Sequence, residues 1–243
     1  MSQSAKTITV IESALREFGA SVAVLTSFQR EGVTILDMVQ KLAPGTPVLT
    51  IDSGRLPQAT LDMIRTIEQR YSLTVERILP DPAEVAAMVE SQGIDLFRDS
   101  VPQRMLCCQV RKVRPLTKRL TNMSAFFTGL RRSQSESRAD IEVIDRSSAP
   151  VKISPLADWT TDDVLRYTSE NNLPEHPLYA VGYTSIGCAP CTRAVAPGED
   201  ERAGRWWWET DTAKECGIHF TPDGRAERTV DVLLREILER SSL

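Results

Sequence analysis

"PVLTIDSGRLPQATLDMIRTIEQRYSLTVERIL", residues 47–79, changes periodicity twice, and those changes decide the fold. "PVLTID" (47–52) is a short apolar run rich in strand formers, and it predicts a buried strand. "LPQATLDMIRTIEQRY" (56–71) predicts a helix, with Pro57 at its start, where a missing N–H costs nothing. "LTVERIL" (73–79) returns to strand. Strand, helix and strand in that order form a βαβ unit, and such units build a mostly parallel sheet.

The same alternation continues outward. Residues 8–19 predict an amphipathic helix closed by Gly19. "SVAVLTSF" (21–28) predicts a strand and "VTILDMVQKL" (33–42) a helix. Helix 82–93 ends at Gly93. Further strands are expected at 124–130, 141–145 and 151–154, and a last helix at 228–240. Ligands of such sheets bind outside the carboxyl ends of the strands. From about residue 175 the chain becomes rich in Gly and Pro and loses periodicity, over a length that favours a functional segment rather than an idle loop.

Composition narrows the function classes. A net charge of −4 argues against a general nucleic-acid binder and requires any attraction for anions to be local. No run approaches the roughly 20 apolar residues that span a bilayer. The first residues lack the basic-then-apolar pattern of an export signal. The five cysteines are therefore expected to be reduced, in a cytoplasmic setting, and to serve metals or chemistry.

Four of those cysteines fall in two pairs. Cys107 and Cys108 are adjacent in "RMLCCQVRKVRP" (104–115), where the intervening peptide gives poor disulfide geometry. Cys188 and Cys191 stand in "SIGCAPCTR", a C-x-x-C loop with the form of a metal knuckle. Four thiolates suit zinc or an iron–sulfur cluster. The tandem pair, expected at a helix start, favours a [4Fe-4S] cluster, whose separate iron corners can each take one of two neighbouring thiolates. Cys216 stands apart in "KECGIH", with Lys214 and His219 near it in sequence and Gly217 leaving its sulfur open. Cations of this kind favour a thiolate. "RWWW" (205–208) reads as packing, and Asp52 either binds ribose hydroxyls or caps the turn after it.

Six segments, in order, resemble the assimilatory adenylylsulfate reductases, the cluster-containing branch of the sulfonucleotide reductases. They are "DSGRLPQ" (52–58), "CCQVRKVRPL" (107–116), "FFTGLRRSQSESRA" (126–139), "SIGCAPCT", "GRWWWE" and "KECGIH". The resemblance implies a Rossmann-like, adenine nucleotide alpha hydrolase-like α/β fold. In it, residues 1–200 would form the nucleotide-binding domain carrying the cluster, and residues 201–243 a mobile C-terminal segment carrying the nucleophile. It implies one [4Fe-4S] cluster per chain on Cys107, Cys108, Cys188 and Cys191. It further implies reduction of adenosine 5′-phosphosulfate (APS) to sulfite and AMP through an S-sulfocysteine on Cys216, assisted by His219. The reductant would be thioredoxin or a glutaredoxin-like protein. Lys112, Arg138, Arg202 and Arg205 would bind the anionic end of the substrate, and Ser27, Asp52, Ser53, Gly54 and Arg55 its nucleotide part. Nucleic acid and membrane are not expected partners, and the assembly, monomer or homo-oligomer, is left open.

Two features depart from the family pattern. "SFQREG" (27–32) replaces the usual first loop, and Ser53 stands where Thr is usual. Relatives specialised for the 3′-phosphorylated nucleotide usually lack the cluster cysteines, so APS is the expected substrate. The nucleotide-side loops offer two cations, Arg30 and Arg55, offset by Glu31 and Asp52, and Arg30 is the candidate ligand for a 3′-phosphate. An ATP-pyrophosphatase of similar sheet would want an S-G-G-x-D-S phosphate loop, which "SFQREG" does not provide. A non-enzymatic iron–sulfur sensor would need neither the sheet nor the Cys216 motif.

Overall fold

The computed structural model describes residues 3–135, 138–147, 149–209, 219–220 and 226–227. A six-stranded sheet in the order β3-β2-β1-β4-β6-β5 forms its centre. The strands are β1 (Val22–Leu25), β2 (Val48–Ile51), β3 (Val75–Ile78), β4 (Ala125–Phe127), β5 (Ile144–Asp145) and β6 (Val151–Ile153). All neighbours run parallel except β5, which pairs antiparallel with β6 at the edge.

Parallel strands must be covered on both faces, and the side chains divide accordingly. Val22 and Val24 of β1 point into one core, with Ile11, Leu36, Ile64 and Trp159. Ala23 and Leu25 face a second core containing Leu49, Leu116, Leu120 and Phe126. The first face is covered by α1 (Gln3–Phe18), α2 (Arg30–Leu42), α3 (Gln58–Tyr71) and α7 (Thr161–Glu170), and the second by α6 (Arg114–Leu120). A third apolar cluster joins Met88 of α4 (Pro82–Gln92) to Leu96, Phe97, Cys107, Val110, Cys188, Cys191 and Trp206.

Elements start where side-chain oxygens replace missing backbone partners. The Asp81 carboxylate accepts the Ala83 and Glu84 N–H groups at the start of α4. Thr160 and Asp163 form a capping box on α7. The strands and the helices α1–α4 agree with the sequence expectation to within a few residues at most ends. The sequence reading did not resolve α7 or the stretch 101–120. That stretch forms α5 (Val101–Cys108), a π-helical turn (Gln109–Val113) and then α6. Cys107 and Cys108 therefore end a helix rather than start one. The expected helix at 228–240 lies outside the described residues, as does Cys216. His219 lies in a two-residue strand, β7 (His219–Phe220), opposite β8 (Ala226–Glu227).

Because β2 and β4 flank β1 on opposite sides, the chain leaves β1 at the switch point of the sheet. There Phe28 is buried at φ 58, a left-handed conformation that costs a bulky residue roughly 1–3 kcal/mol. Its N–H donates to Thr26 Oγ1 at 2.9 Å, and the turn aims the start of α2 into the opening between β1 and β4. Gly129, after β4, must be glycine for the same close approach, since an added Cβ would stand 2.7 Å from Glu31 Cβ.

The loop over this opening is anchored by His176, which is 1% exposed. The Leu178 N–H donates to its Nδ1 at 3.3 Å, so the ring proton sits on Nε2, 2.9 Å from Thr60 Oγ1. Burial lowers its pKa from 6.5 to about 4. A depressed histidine contributes its stability in full above the unfolded value and loses it as pH falls from 6.5 toward 4, because only the unfolded chain takes up the proton there. Between pH 7.5 and 5, urea titration of the protein should show about 2 kcal/mol more loss of stability than His176→Gln shows. Parallel pH profiles for the two proteins would contradict this assignment.

Candidate active site

A cavity of about 310 Å³ opens at the switch point. Its walls are the end of β1 with Thr26 and Ser27, the start of α2 with Gln29 and Gly32, residues 128–130 after β4, and residues 184–188. Lys112, Arg138, Arg202 and Arg205 all line it, so four cations distant in sequence share one small cleft. Ser27 also lines it, and its Oγ accepts from Gln29 Nε2 at 2.9 Å.

Arg205 is the most constrained of these cations. It is 7% exposed, and its Nη1 reaches only Ser185 Oγ (3.3 Å) and the Ile186 carbonyl (3.5 Å). Its Nε has no hydrogen-bond partner, and no carboxylate pairs with it among the described residues. The guanidinium packs over the Trp206 ring at 4.7 Å and against Gly187, where an added Cβ would stand 2.5 Å from Nη2. A buried charge without a counter-charge is costly. An anion in the cleft would supply one.

The four cysteines line a second, smaller cavity next to the first, together with Arg55, Phe97, Arg104, Arg111, Lys112, Pro190 and Trp206. All four are buried. Cys107 and Cys108 come from the end of α5, while Cys188 and Cys191 flank a single 3-10 turn (Ala189–Cys191) whose Cys191 N–H donates to the Cys188 carbonyl at 3.0 Å. Lys112 and Cys188 line both cavities. The π-helical turn after α5 carries Lys112 into this shared wall, a common position for such turns at functional sites.

Of residues 52–55, Arg55 lines the cysteine cavity, Ser53 touches Cys188, and none lines the cleft. Asp52 caps its own turn, accepting the Gly54 N–H at 3.0 Å, and its other oxygen pairs with Arg77. Ser53 Oγ lies 3.0 Å from Cys188 Sγ. Gly54 turns the chain at φ 72, a conformation that favours glycine, and the Arg111 Nη1 donates to the Ser53 carbonyl at 3.0 Å. Arg55 pairs with Asp95 at 2.9 Å, stacks 5.0 Å from the Phe97 ring centre, and its carbonyl accepts from Ala189 N at 2.8 Å. Arg30 is held outside the cleft lining. It pairs with Glu175 at 2.8 Å and lies 3.9 Å over the Tyr179 ring.

The chemistry of the cysteine cavity fits an iron–sulfur cluster. Two donors in its wall are buried without acceptors, Arg111 Nε and Trp206 Nε1, and cluster sulfur would supply acceptors. Arg111 is 6% exposed and has no carboxylate partner among the described residues, so negative charge in the cavity would offset its burial. Among the described residues no three His, Cys, Asp or Glu side chains gather as a single metal ion would require. Four buried thiols lining one cavity are compatible with a cluster held by cysteine thiolates. Burial pushes the Cys191 thiol up to about 12, with Cys188 adding to the rise and Lys112 and Arg205 opposing it. Burial also raises Cys107, against Arg111 and Lys112. Ligation must therefore release protons, and it weakens as pH falls.

A doubly wound sheet with a cation-lined cleft at its switch point defines a nucleotide-binding α/β protein. More specifically, the chain belongs to the phosphoadenosine phosphosulfate reductase domain family, which matches residues 21–194. It is 42% identical over 217 residues to the adenosine 5′-phosphosulfate reductase of Allochromatium vinosum, covering 88% of this chain and 84% of that protein. It is 45% identical over 184 residues to the enzyme of the same name from Burkholderia cepacia, covering 74% of each. Among solved structures, the phosphoadenylyl-sulfate reductase of Candida auris in complex with phosphate superposes with a TM-score of 0.65 at 28% identity, over 76% of this chain and 89% of that one. The Candida glabrata FMN adenylyltransferase bound to ATP shares the fold at 14% identity, with a TM-score of 0.57 over 98% of this chain and 79% of that one.

Among the links that tie residues 201–209 to the body is a deeply buried ion pair, Arg104–Glu209, at 2.6 Å with side chains 3% and 5% exposed. Arg104 also stacks 4.4 Å from the Trp206 ring centre, which fixes Trp206 in the wall of the cysteine cavity. Removing one partner of such a pair strands the other charge. Glu209→Ala should cost about 3–5 kcal/mol in denaturant unfolding, whereas the double variant Arg104→Met/Glu209→Leu should cost far less. Equal losses in the two variants would show that the pair itself holds this segment.

Proposed function

We propose that the protein reduces APS to sulfite and AMP, as the names of its relatives state for them. The observation that carries the proposal is the shared wall. Lys112 and Cys188 border both a nucleotide-sized cationic cleft and a cavity of four buried cysteines. Cys107, Cys108, Cys188 and Cys191 would hold one [4Fe-4S] cluster. When bound, it would tie α5 to the 188–191 turn and set negative charge against Arg111 and Lys112.

The reaction then follows from the chain's own groups. Arg138, Arg202, Arg205 and Lys112 bind the phosphosulfate, and the planar forks of the arginines suit its oxygens. The Cys216 thiolate attacks the substrate sulfur, and the sulfur–oxygen bond to AMP breaks, its electron pair leaving on the AMP phosphate. The cations stabilise the charge that develops there. Cys216 is left as S-sulfocysteine. A dithiol protein of the thioredoxin or glutaredoxin type attacks the Cys216 sulfur and expels sulfite with the bonding pair. Its second thiol closes a disulfide and frees Cys216, so two electrons pass from the dithiol to sulfur. His219 would hydrogen-bond the reacting centre.

Sequestration of Arg30 by Glu175 and Tyr179 supports APS over the 3′-phosphorylated nucleotide, since the cation most suited to a 3′-phosphate already has partners. Mixing the protein with APS in the absence of any dithiol should release one equivalent of AMP and leave a sulfonate on Cys216, located by mass spectrometry of peptides. Cys216→Ser should bind AMP and give no burst. A sulfonate on another cysteine, or steady AMP release without reductant, would refute this reading.

A further inference from the structure

One carboxyl group in the cleft is at odds with its surroundings. Glu201 lines the cavity beside Arg202 and Arg205, in a site whose ligand is an anion. Among the described residues no hydrogen bond or ion pair reaches its carboxylate, although its side chain is half-buried. Its position is not accidental looseness. The Thr184 hydroxyl donates to the Glu201 carbonyl at 2.5 Å. The turn is closed by Arg202 N–H to Asp200 Oδ1 (2.8 Å), Ala203 N–H to the Asp200 carbonyl (2.9 Å) and Arg205 N–H to the Arg202 carbonyl (2.9 Å).

The charges around Glu201 place it within the cleft. They are Glu31 in the first turn of α2, Arg131 after β4, and its neighbours Asp200 and Arg202. Neither Lys112 nor Cys188, which mark the cysteine end, is among them. Arg131 is committed elsewhere, to Glu31 at 2.8 Å, and Gln134 Nε2 also donates to Glu31 at 3.1 Å. Burial and Glu31 raise the proton affinity of Glu201, while Arg131 and Arg202 lower it. With the phosphosulfate at the Lys112 end, the side of the cleft near Glu31 and Glu201 is left for the nucleoside.

A carboxylate weakens the binding of any anion, so in this cleft it needs a neutral donor to meet it. We propose that Glu201 is the residue that selects the unphosphorylated sulfonucleotide, accepting a hydrogen bond from a ribose hydroxyl and repelling a phosphate in that hydroxyl's place. The inference rests on the function proposed above and adds the specificity determinant. A 3′-phosphate brings nearly two further negative charges. Beside a half-buried carboxylate their repulsion is poorly screened.

The test measures two products by calorimetry on the cluster-loaded protein, AMP and adenosine 3′,5′-bisphosphate, which differ only in the 3′-phosphate. Wild type should favour AMP. Glu201→Gln should narrow that preference by at least about tenfold, chiefly by tightening the bisphosphate, and Glu201→Asp should keep most of it. Under turnover with a dithiol reductant, the ratio of kcat/KM for APS to that for its 3′-phosphorylated form should fall by a similar factor in Glu201→Gln. A preference unchanged within about twofold while AMP still binds would overturn the inference alone. Equal weakening of both ligands would also overturn it, by marking a structural role. Failure of wild type to bind AMP at all would overturn the proposed function itself.

Discussion

Two guanidinium groups, Arg111 and Arg205, are buried with no carboxylate to meet either among the described residues, and the site depends on what balances them. Arg205 lines the cleft and Arg111 the cysteine cavity. Each needs negative charge from something other than a protein carboxylate. A sulfonucleotide on one side and a thiolate-ligated cluster on the other would meet both needs. The two requirements meet at Lys112, which belongs to both walls. Charge placed in one cavity is therefore felt in the other.

The fold serves this arrangement by bringing distant segments together. Ser53 reaches Cys188 across 135 positions, and Arg104 reaches Glu209 across 105. The turn at 52–55 clamps the 188–191 turn, and Trp206 closes the cavity from behind, with its N–H unpartnered. The switch point of the sheet supplies the opening itself, at the cost of a strained Phe28 and a glycine at 129.

Much of this was legible in the sequence because its cause is local. Strands such as "VAVL" and "VLTI" are largely apolar because both faces are covered, and α3 and α4 begin at Pro57 and at the Asp81 cap. The cysteines that share one cavity and the arginines that share the cleft stood out by residue type. Less legible was the helix run 101–120, because its buried positions include Arg104 and Arg111 and so break the apolar pattern that marks a helix face. The ion pairs of Asp52 with Arg77 and of Arg55 with Asp95 were not legible, because they are set by tertiary placement that spacing does not encode. Glu201 gave no signal, since an acidic residue in a loop reads as solvated.

The central claim is that one [4Fe-4S] cluster on Cys107, Cys108, Cys188 and Cys191 sits beside the sulfonucleotide cleft and shares Lys112 with it. Mössbauer spectroscopy of the protein prepared anaerobically with ⁵⁷Fe tests both parts, using Cys216→Ser to prevent turnover. The expected result is about four irons per chain in a single cluster, with a spectrum that changes when APS is added and changes less in Lys112→Ala. One zinc or one iron per chain, or a cluster spectrum indifferent to APS, would contradict it.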